Sequence, residues 1–199
     1  MGTMKGEGNR SVRESRRRLR DALVQLLIRK PVRDITVREL TDLAQVSRGT
    51  FYFHYRDIYE LLDHLEEEQI AQLNRFMDAL LPRLGSGADE IPPAVLALFE
   101  YLDENDAICA ALLGPHGDPA FVVRLQRVIA ARCMGYLAPG GSTAQQRYLT
   151  AFAVRGCFGA IEQWLQQGKP ESTARMAQIT WQGIRAVERL IAAPQPPEE

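Results

Sequence analysis

Apolar residues recur three and four positions apart along almost the whole chain, and nowhere do they alternate with the period of two that a half-buried strand requires. The first such run places Leu19, Ala22, Leu23, Leu26 and Leu27 on one face of a helix over Ser11–Lys30, with an arginine-rich face opposite. Pro31 stops it, because proline disfavours helix at the residue before it. Thr36-Val37-Arg38-Glu39 has the form of a capping box, hydroxyl and carboxylate each satisfying a free N–H, and opens a short helix ending near Ala44. Ser47 is a second N-cap and starts a helix from Arg48 to about Tyr55; Asp57 caps a long one from Ile58 to Leu81, ended by Pro82. After a Gly/Pro/Asp-rich connector, Leu84–Pro93, the pattern predicts helices over 94–103 and 106–113. Beyond the turn Gly114-Pro115-His116-Gly117, Asp118-Pro119 starts a helix that reaches Leu137, proline being suited to a first turn that needs no N–H. Pro139–Ser142 breaks the chain, and helices over 143–167 and 172–192 follow, separated by Gly168-Lys169-Pro170. No segment repeats at a fixed period, which excludes a solenoid. The expectation is an all-α protein of nine helices.

Two short helices joined by a three-residue turn have the helix-turn-helix form, whose second helix fits the major groove of DNA. Leu40, Leu43, Ala44, Val46 and Phe51 are the expected core between them. Arg48, Gly49, Thr50, Tyr52 and His54 form the outward set. The domain plan is a flexible arm over 1–10, a helix-turn-helix domain over 11–57, a larger helical domain over 58–193 and a disordered tail over 194–199.

Net charge sharpens this plan only when it is divided. The whole chain carries −1. Residues 1–60 hold 13 basic and 8 acidic side chains, a net +5, and the remainder is −6. A basic head on an acidic body points to a polyanionic partner for the head alone. At 46% hydrophobic and 25% charged residues the composition is that of a folded, soluble chain. No apolar run approaches the length of a membrane span, and Met1–Arg10 lacks the character of a signal peptide, so a cytoplasmic location is expected. Cys109, Cys133 and Cys157 lie far apart, without zinc-ligand spacing, and read as small core residues. Neither paired carboxylates, nor a Ser-His or Cys-His set, nor a phosphate loop can be assembled. The reading is therefore not an enzyme, with no catalytic residue, metal or cofactor.

The segment Thr36-Val37-Arg38-Glu39-Leu40, followed by Ala44-Gln45-Val46-Ser47-Arg48-Gly49-Thr50-Phe51-Tyr52-Phe53-His54-Tyr55, resembles the signature of the TetR family of transcriptional regulators. The likeness covers about residues 11–60 closely, and the nine-helix plan extends it more weakly over the whole chain. This copy departs from the signature at Thr41, usually a small alanine, at Gln45, usually glycine, and at Ile58, where a phosphate-binding lysine is common. Arg56 stands two positions earlier and is a substitute for that lysine. The resemblance implies double-stranded DNA as partner, read as a palindromic operator by a homodimer, and implies that the domain over 58–193 is regulatory and dimerising. Its expected DNA-binding residues are Thr36 and Arg38 at the start of the second helix, Ser47, Arg48, Gly49 and Thr50 at the start of the third, and Tyr52, Phe53, His54, Tyr55 and Arg56 towards its end. A guanidinium pairs bidentately with guanine, which makes Arg48 the first choice for a base contact, a phosphate contact being the alternative. Thr50 suits a thymine methyl or a phosphate. Arg10, Arg13, Arg16 and Arg17 would flank the groove.

In the regulatory half, Phe152, Gly156, Ala160 and Trp164 of the eighth helix, with Ile179, Gly183, Val187 and Leu190 of the ninth, are the expected dimer interface. The alternative for the small residues is an intramolecular core. A ligand pocket is expected among Phe76, Tyr101, Cys109, Leu112, Phe121, Leu125, Phe152 and Arg155, each of which also suits ordinary core. Ala111–Phe121 and Gln163-Trp164-Leu165 are similar to the C-terminal domain of the dihydroxyacetone-kinase operon activator and its relatives, a subgroup that acts with a partner protein or an unidentified ligand. Two readings therefore stand. One is a repressor released by a small-molecule effector. The other is an activator or co-regulator whose C-terminal domain takes a protein partner.

Overall fold

The computed structural model of the chain describes residues 4–192, with side chains from Arg10 onward. Among the described residues there are nine α-helices and no strand: α1 (Met4–Leu27), α2 (Val37–Ala44), α3 (Arg48–His54), α4 (Ile58–Leu80), α5 (Pro93–Glu104), α6 (Asp106–Leu113), α7 (Pro119–Leu137), α8 (Ala144–Gln166) and α9 (Thr173–Ala192). Single 3-10 turns lie at Val32–Asp34 and Leu81–Arg83. The prolines and caps read from the sequence set these ends to within a few residues, with one exception. α1 begins at Met4 rather than Ser11. Its first turns contain no proline, so helical hydrogen bonding runs on through residues expected to form an arm. The rest of that arm, residues 1–3, and the tail expected over 194–199 lie outside the described residues.

The chain divides into two compact units, and the division does not follow the boundary expected at residue 57. Among the described residues, the first unit holds 4–70 together with Ala107–Phe121; the second holds Ala71–Asp106 and 122–192. In the first, α1 packs on α2 and α3, and α2 on α3. Leu19, Leu23, Leu27, Leu40, Phe51, Leu61 and Leu65 are among its most deeply buried side chains. The turn after α6 closes so tightly that a Cβ on Gly117 would stand 2.2 Å from the carbonyl oxygen of Leu112, and one on Gly114 2.1 Å from that of Ala110. Both glycines are therefore needed by the backbone itself.

In the second unit, α9 packs on α8 and on α5. A complete capping box starts α8: the Gln146 N–H donates to Thr143 Oγ1 at 3.2 Å, and the Thr143 N–H to Gln146 Oε1 at 2.9 Å. The connector before α5 is tied to α9. Trp181 Nε1 donates to the carbonyl of Asp89 at 3.2 Å, and the Gly85 N–H donates to Glu188 Oε1 at 2.8 Å. The nearly buried Arg185 lies between Glu188 and Asp89. No helix among the described residues is long and apolar enough to cross a membrane. Trp181 is fully buried as well as hydrogen-bonded. Trp181→Ala should cost the second unit about 3–5 kcal/mol, seen as a lowered midpoint in thermal or denaturant unfolding.

Candidate nucleic-acid interface

The surface is built from α2, the turn after it and α3. Thr36 Oγ1 accepts the Glu39 N–H at 3.2 Å and starts α2 as expected. The other half of the predicted capping box is not formed. Glu39 Oε2 instead takes the ammonium of Lys30, a charge-assisted bond stronger than one to a neutral amide. Leu40, Thr41 and Ala44 face inward. Leu43, expected in that core, is 42% exposed. At 100° per residue the inward face runs from Leu40 to Thr41, so position 43 falls outside it. The Thr41 hydroxyl is buried without penalty, since it donates within its own helix to the carbonyls of Val37 (2.8 Å) or Arg38 (3.0 Å).

Gln45 ends α2 at φ 53°, ψ 45°, in the left-handed region, and its N–H returns to the carbonyls of Asp42 and Thr41. Ser47 then caps α3: its Oγ accepts the Thr50 N–H at 3.0 Å and lies 2.8 Å from the Thr50 hydroxyl. Phe51 has no exposed surface and fixes the rotation of α3. Arg48, Gly49, Tyr52 and Phe53 are thereby left exposed, and Thr50 half-buried. Tyr55 does not belong with them. Lying four residues after Phe51, it shares the inward face, buried 6.1 Å from the Phe51 ring and edge-on to His64 at 5.5 Å. Burial pushes its hydroxyl pKa up.

His54 takes a position the sequence did not indicate. Its Nε2 lies 2.7 Å from the Ser15 hydroxyl on α1, tying the end of α3 to a helix thirty-nine residues earlier. Burial, and then the nearby Arg16 guanidinium, hold its pKa below the ordinary value, favouring the neutral ring. Nothing local in the sequence marks Ser15 for this role. Asp57 Oδ1 accepts the Glu60 N–H at 2.9 Å and caps α4, and its carboxyl is held low by that bond and by Arg56. Arg56 is exposed beside it, 3.2 Å from Asp57. Ile58, where a phosphate-binding lysine was noted as common, is buried. Arg38 is exposed and loosely paired with Asp42 at 3.7 Å.

Around this surface the charge of α1 is partly spent. Glu14 accepts from both Arg17 (2.8 Å) and Arg18 (3.1 Å), which lower its carboxyl to about 2. Arg20 pairs with Glu68 at 3.0 Å. Arg10, Arg13 and Arg16 are exposed.

The residues expected to line a ligand pocket do not fall in one unit. Cys109, Leu112 and Phe121 are buried side chains of the first. Of those in the second, Phe76 and Tyr101 meet edge-to-face at 5.7 Å and Leu125 is buried. Phe152 and Arg155 are exposed, because Val154, Phe158 and Ile161 occupy the inward face of α8. Of the expected dimer residues, Phe152, Gly156, Ile179, Gly183 and Leu190 are exposed and Ala160 half-buried. Trp164 and Val187 are not available. Both are buried, and the Trp164 ring packs edge-on to Phe99 while its Nε1 donates to the carbonyl of Glu171 at 2.9 Å. Burial raises the pKa of Cys133 and of Cys157 to about 11, which leaves both as neutral thiols.

Residues 19–65 match the family described as bacterial regulatory proteins, tetR family, and residues 89–185 match one described as transcriptional regulator C-terminal region. No curated protein matches the chain in sequence. Among solved structures, a TetR transcriptional regulator from Streptococcus agalactiae 2603V aligns with a TM-score of 0.60 at 20% identity, covering 90% of this chain and 98% of that one. The fatty acid degradation regulator FadR from Bacillus halodurans aligns at 0.59 with 14% identity, covering 85% and 94%. The dihydroxyacetone kinase operon activator DhaS aligns at 0.55 with 15% identity, covering 89% and 96%. At these identities the three alignments speak for a shared fold.

The strained turn yields a prediction. A side chain in the left-handed region costs about 1–2 kcal/mol, which glycine avoids at some expense in unfolded-chain entropy. Gln45→Gly should therefore stabilise the first unit by about 0.5–1 kcal/mol, read as a raised unfolding midpoint with DNA affinity unchanged.

Proposed function

The chain belongs to the TetR family of transcriptional regulators, and on that premise we propose that it is a homodimeric repressor that binds a palindromic operator and is released from it by an effector. The observation that carries this reading is α3. It is a short capped helix whose rotation is fixed by Phe51 and which leaves Arg48, Gly49, Tyr52 and Phe53 exposed and Thr50 half-buried, within reach of a partner. In this reading α3 lies in the major groove, Arg48 pairs with a guanine, and the Thr50 and Tyr52 hydroxyls meet base edges or phosphates. Thr36, Arg38, Ser47 and Arg56 stand at helix ends and serve the backbone, which fixes register without reading sequence. His54 holds the reading helix to α1 rather than touching DNA.

Dimerisation is supported by an unpartnered apolar face. Tyr148 and Phe152 on α8 are 76% and 68% exposed, and Ile179 and Leu190 on α9 are exposed as well. A Cβ at Gly156 or Gly183 would meet nothing within 4 Å, so both leave room for a close neighbour. A second copy of the chain would cover this face and present two reading helices with twofold symmetry.

One observation favours the second reading, in which the C-terminal region takes a protein partner and the chain activates transcription. Two of the residues expected around an effector, Phe152 and Arg155, face outward. Titrating the operator complex with the small-molecule and macromolecular fractions of a cell extract separates the two.

In-vitro selection from random DNA tests the regulator reading. It should enrich an inverted repeat, and failure to enrich any sequence would overturn it. On the enriched site, Arg48→Ala should lose about 1–3 kcal/mol per half-site and relax preference at one base pair, measured by fluorescence anisotropy. Phe152→Glu combined with Ile179→Glu should shift the protein from dimer to monomer in light scattering and weaken operator binding.

A further inference from the structure

Phe53 is 75% exposed, more than any other phenylalanine or leucine of the first unit for which exposure is described. A lone apolar residue at a surface needs no explanation. The position of this one does. Counting 100° per residue from the buried Phe51, Gly49 and Phe53 fall on the side of α3 opposite the core, one turn apart, with Tyr52 and Thr50 flanking them. Phe53 therefore stands at the centre of the face turned away from the core, while Arg48 lies round towards the Tyr55 side and is exposed because it opens the helix. Its ring touches that of His54 edge-on at 5.1 Å and 71°, and His54 is itself held by Ser15. Gly49 supports the same geometry. Its backbone is not left-handed, and an added Cβ would meet only Ser47 Oγ at 3.7 Å, an ordinary contact. The fold has no need of glycine there, although glycine costs an exposed helix about 1 kcal/mol relative to alanine. A bare backbone beside a protruding ring suits close approach to another surface.

Phenylalanine can neither donate nor accept a hydrogen bond. Among the groups that base pairs present in the major groove, the one bulky apolar group is the C5-methyl of thymine; the recognition groups beside it are donors or acceptors. We propose that Phe53 is a specificity-determining residue that selects thymine by packing its ring on that methyl group, one turn along α3 from the bare backbone at Gly49. This rests on the operator-binding reading above. It assigns the half-site at least one thymine whose recognition is apolar, next to whatever Arg48 reads by hydrogen bonding.

The test uses the full-length protein and the operator obtained by selection. Each thymine is replaced in turn by deoxyuridine, which removes the methyl and leaves every hydrogen-bonding group in place. For the parent protein, one thymine per half-site should show affinity weakened about fourfold, the worth of one buried methyl. Phe53→Ala should bind the thymine and deoxyuridine forms of that position equally, while Phe53→Leu should keep part of the difference. The side chain is exposed, so these variants should fold, and an unchanged unfolding midpoint checks it. The inference is overturned if the parent is indifferent to every thymine methyl, or if Phe53→Ala retains the full penalty. It is also overturned if Phe53→Ala weakens binding to both forms alike and keeps their ratio, as expected for a ring lying on deoxyribose. A parent protein that enriches no DNA sequence would instead remove the regulator reading, and this inference with it.

Discussion

Seven residues, Arg48 to His54, are too few to hold a helix in water by their own hydrogen bonds. The burial of Phe51 makes α3 possible and at the same time sets its rotation. Everything assigned to the DNA-facing surface follows from that one side chain. With Phe51 and Tyr55 inward, Gly49 and Phe53 must point away from the core, whereas Arg48, on the Tyr55 side, is exposed because it opens the helix. The Ser47 cap fixes where the helix begins and the Ser15–His54 contact fixes where it ends. The outward face of α3 is thus held at its middle and at both ends by contacts within the unit.

Most of the fold was legible because it is written in local signals. Caps at Thr36, Ser47 and Asp57 and stops at Pro31 and Pro82 are short-range chemistry. What escaped the sequence depended on contacts far apart in the chain or on helical phase. Leu43 looked like core and is exposed because Thr41, a polar residue able to satisfy its own hydroxyl, occupies the inward position. Tyr55 was expected at DNA from the family resemblance, yet it is buried on the Phe51 side. Glu39 was assigned to a local cap but found Lys30 at the end of α1. No periodicity could have shown that Ala107–Phe121 belongs with the N-terminal helices, since that is a matter of tertiary packing.

The candidate site was legible in the same proportion. The motif located α3 and named its exposed residues, but it could not separate side chains that face out from those that hold the helix in place. On α8 and α9 the difficulty was similar. Trp164 lies on a stripe with Gly156 and Ala160 by sequence spacing, but its ring packs on Phe99 and its N–H serves the turn before α9. A buried tryptophan N–H usually finds a hydrogen-bond partner, and here the carbonyl of Glu171 supplies it within the unit.

The shared carboxylate on α1 has a consequence for how the head of the molecule meets a polyanion. Counting arginines would suggest a large release of condensed counterions on binding, since each cation placed on a phosphate frees about one. Arg17 and Arg18 already have Glu14 as an internal counterion, and Arg20 has Glu68. A phosphate that takes one of these guanidiniums must displace a fixed carboxylate, which cannot diffuse away. The helix therefore behaves as a partly neutralised rod, and the number of ions its binding sets free is smaller than its sequence charge would indicate.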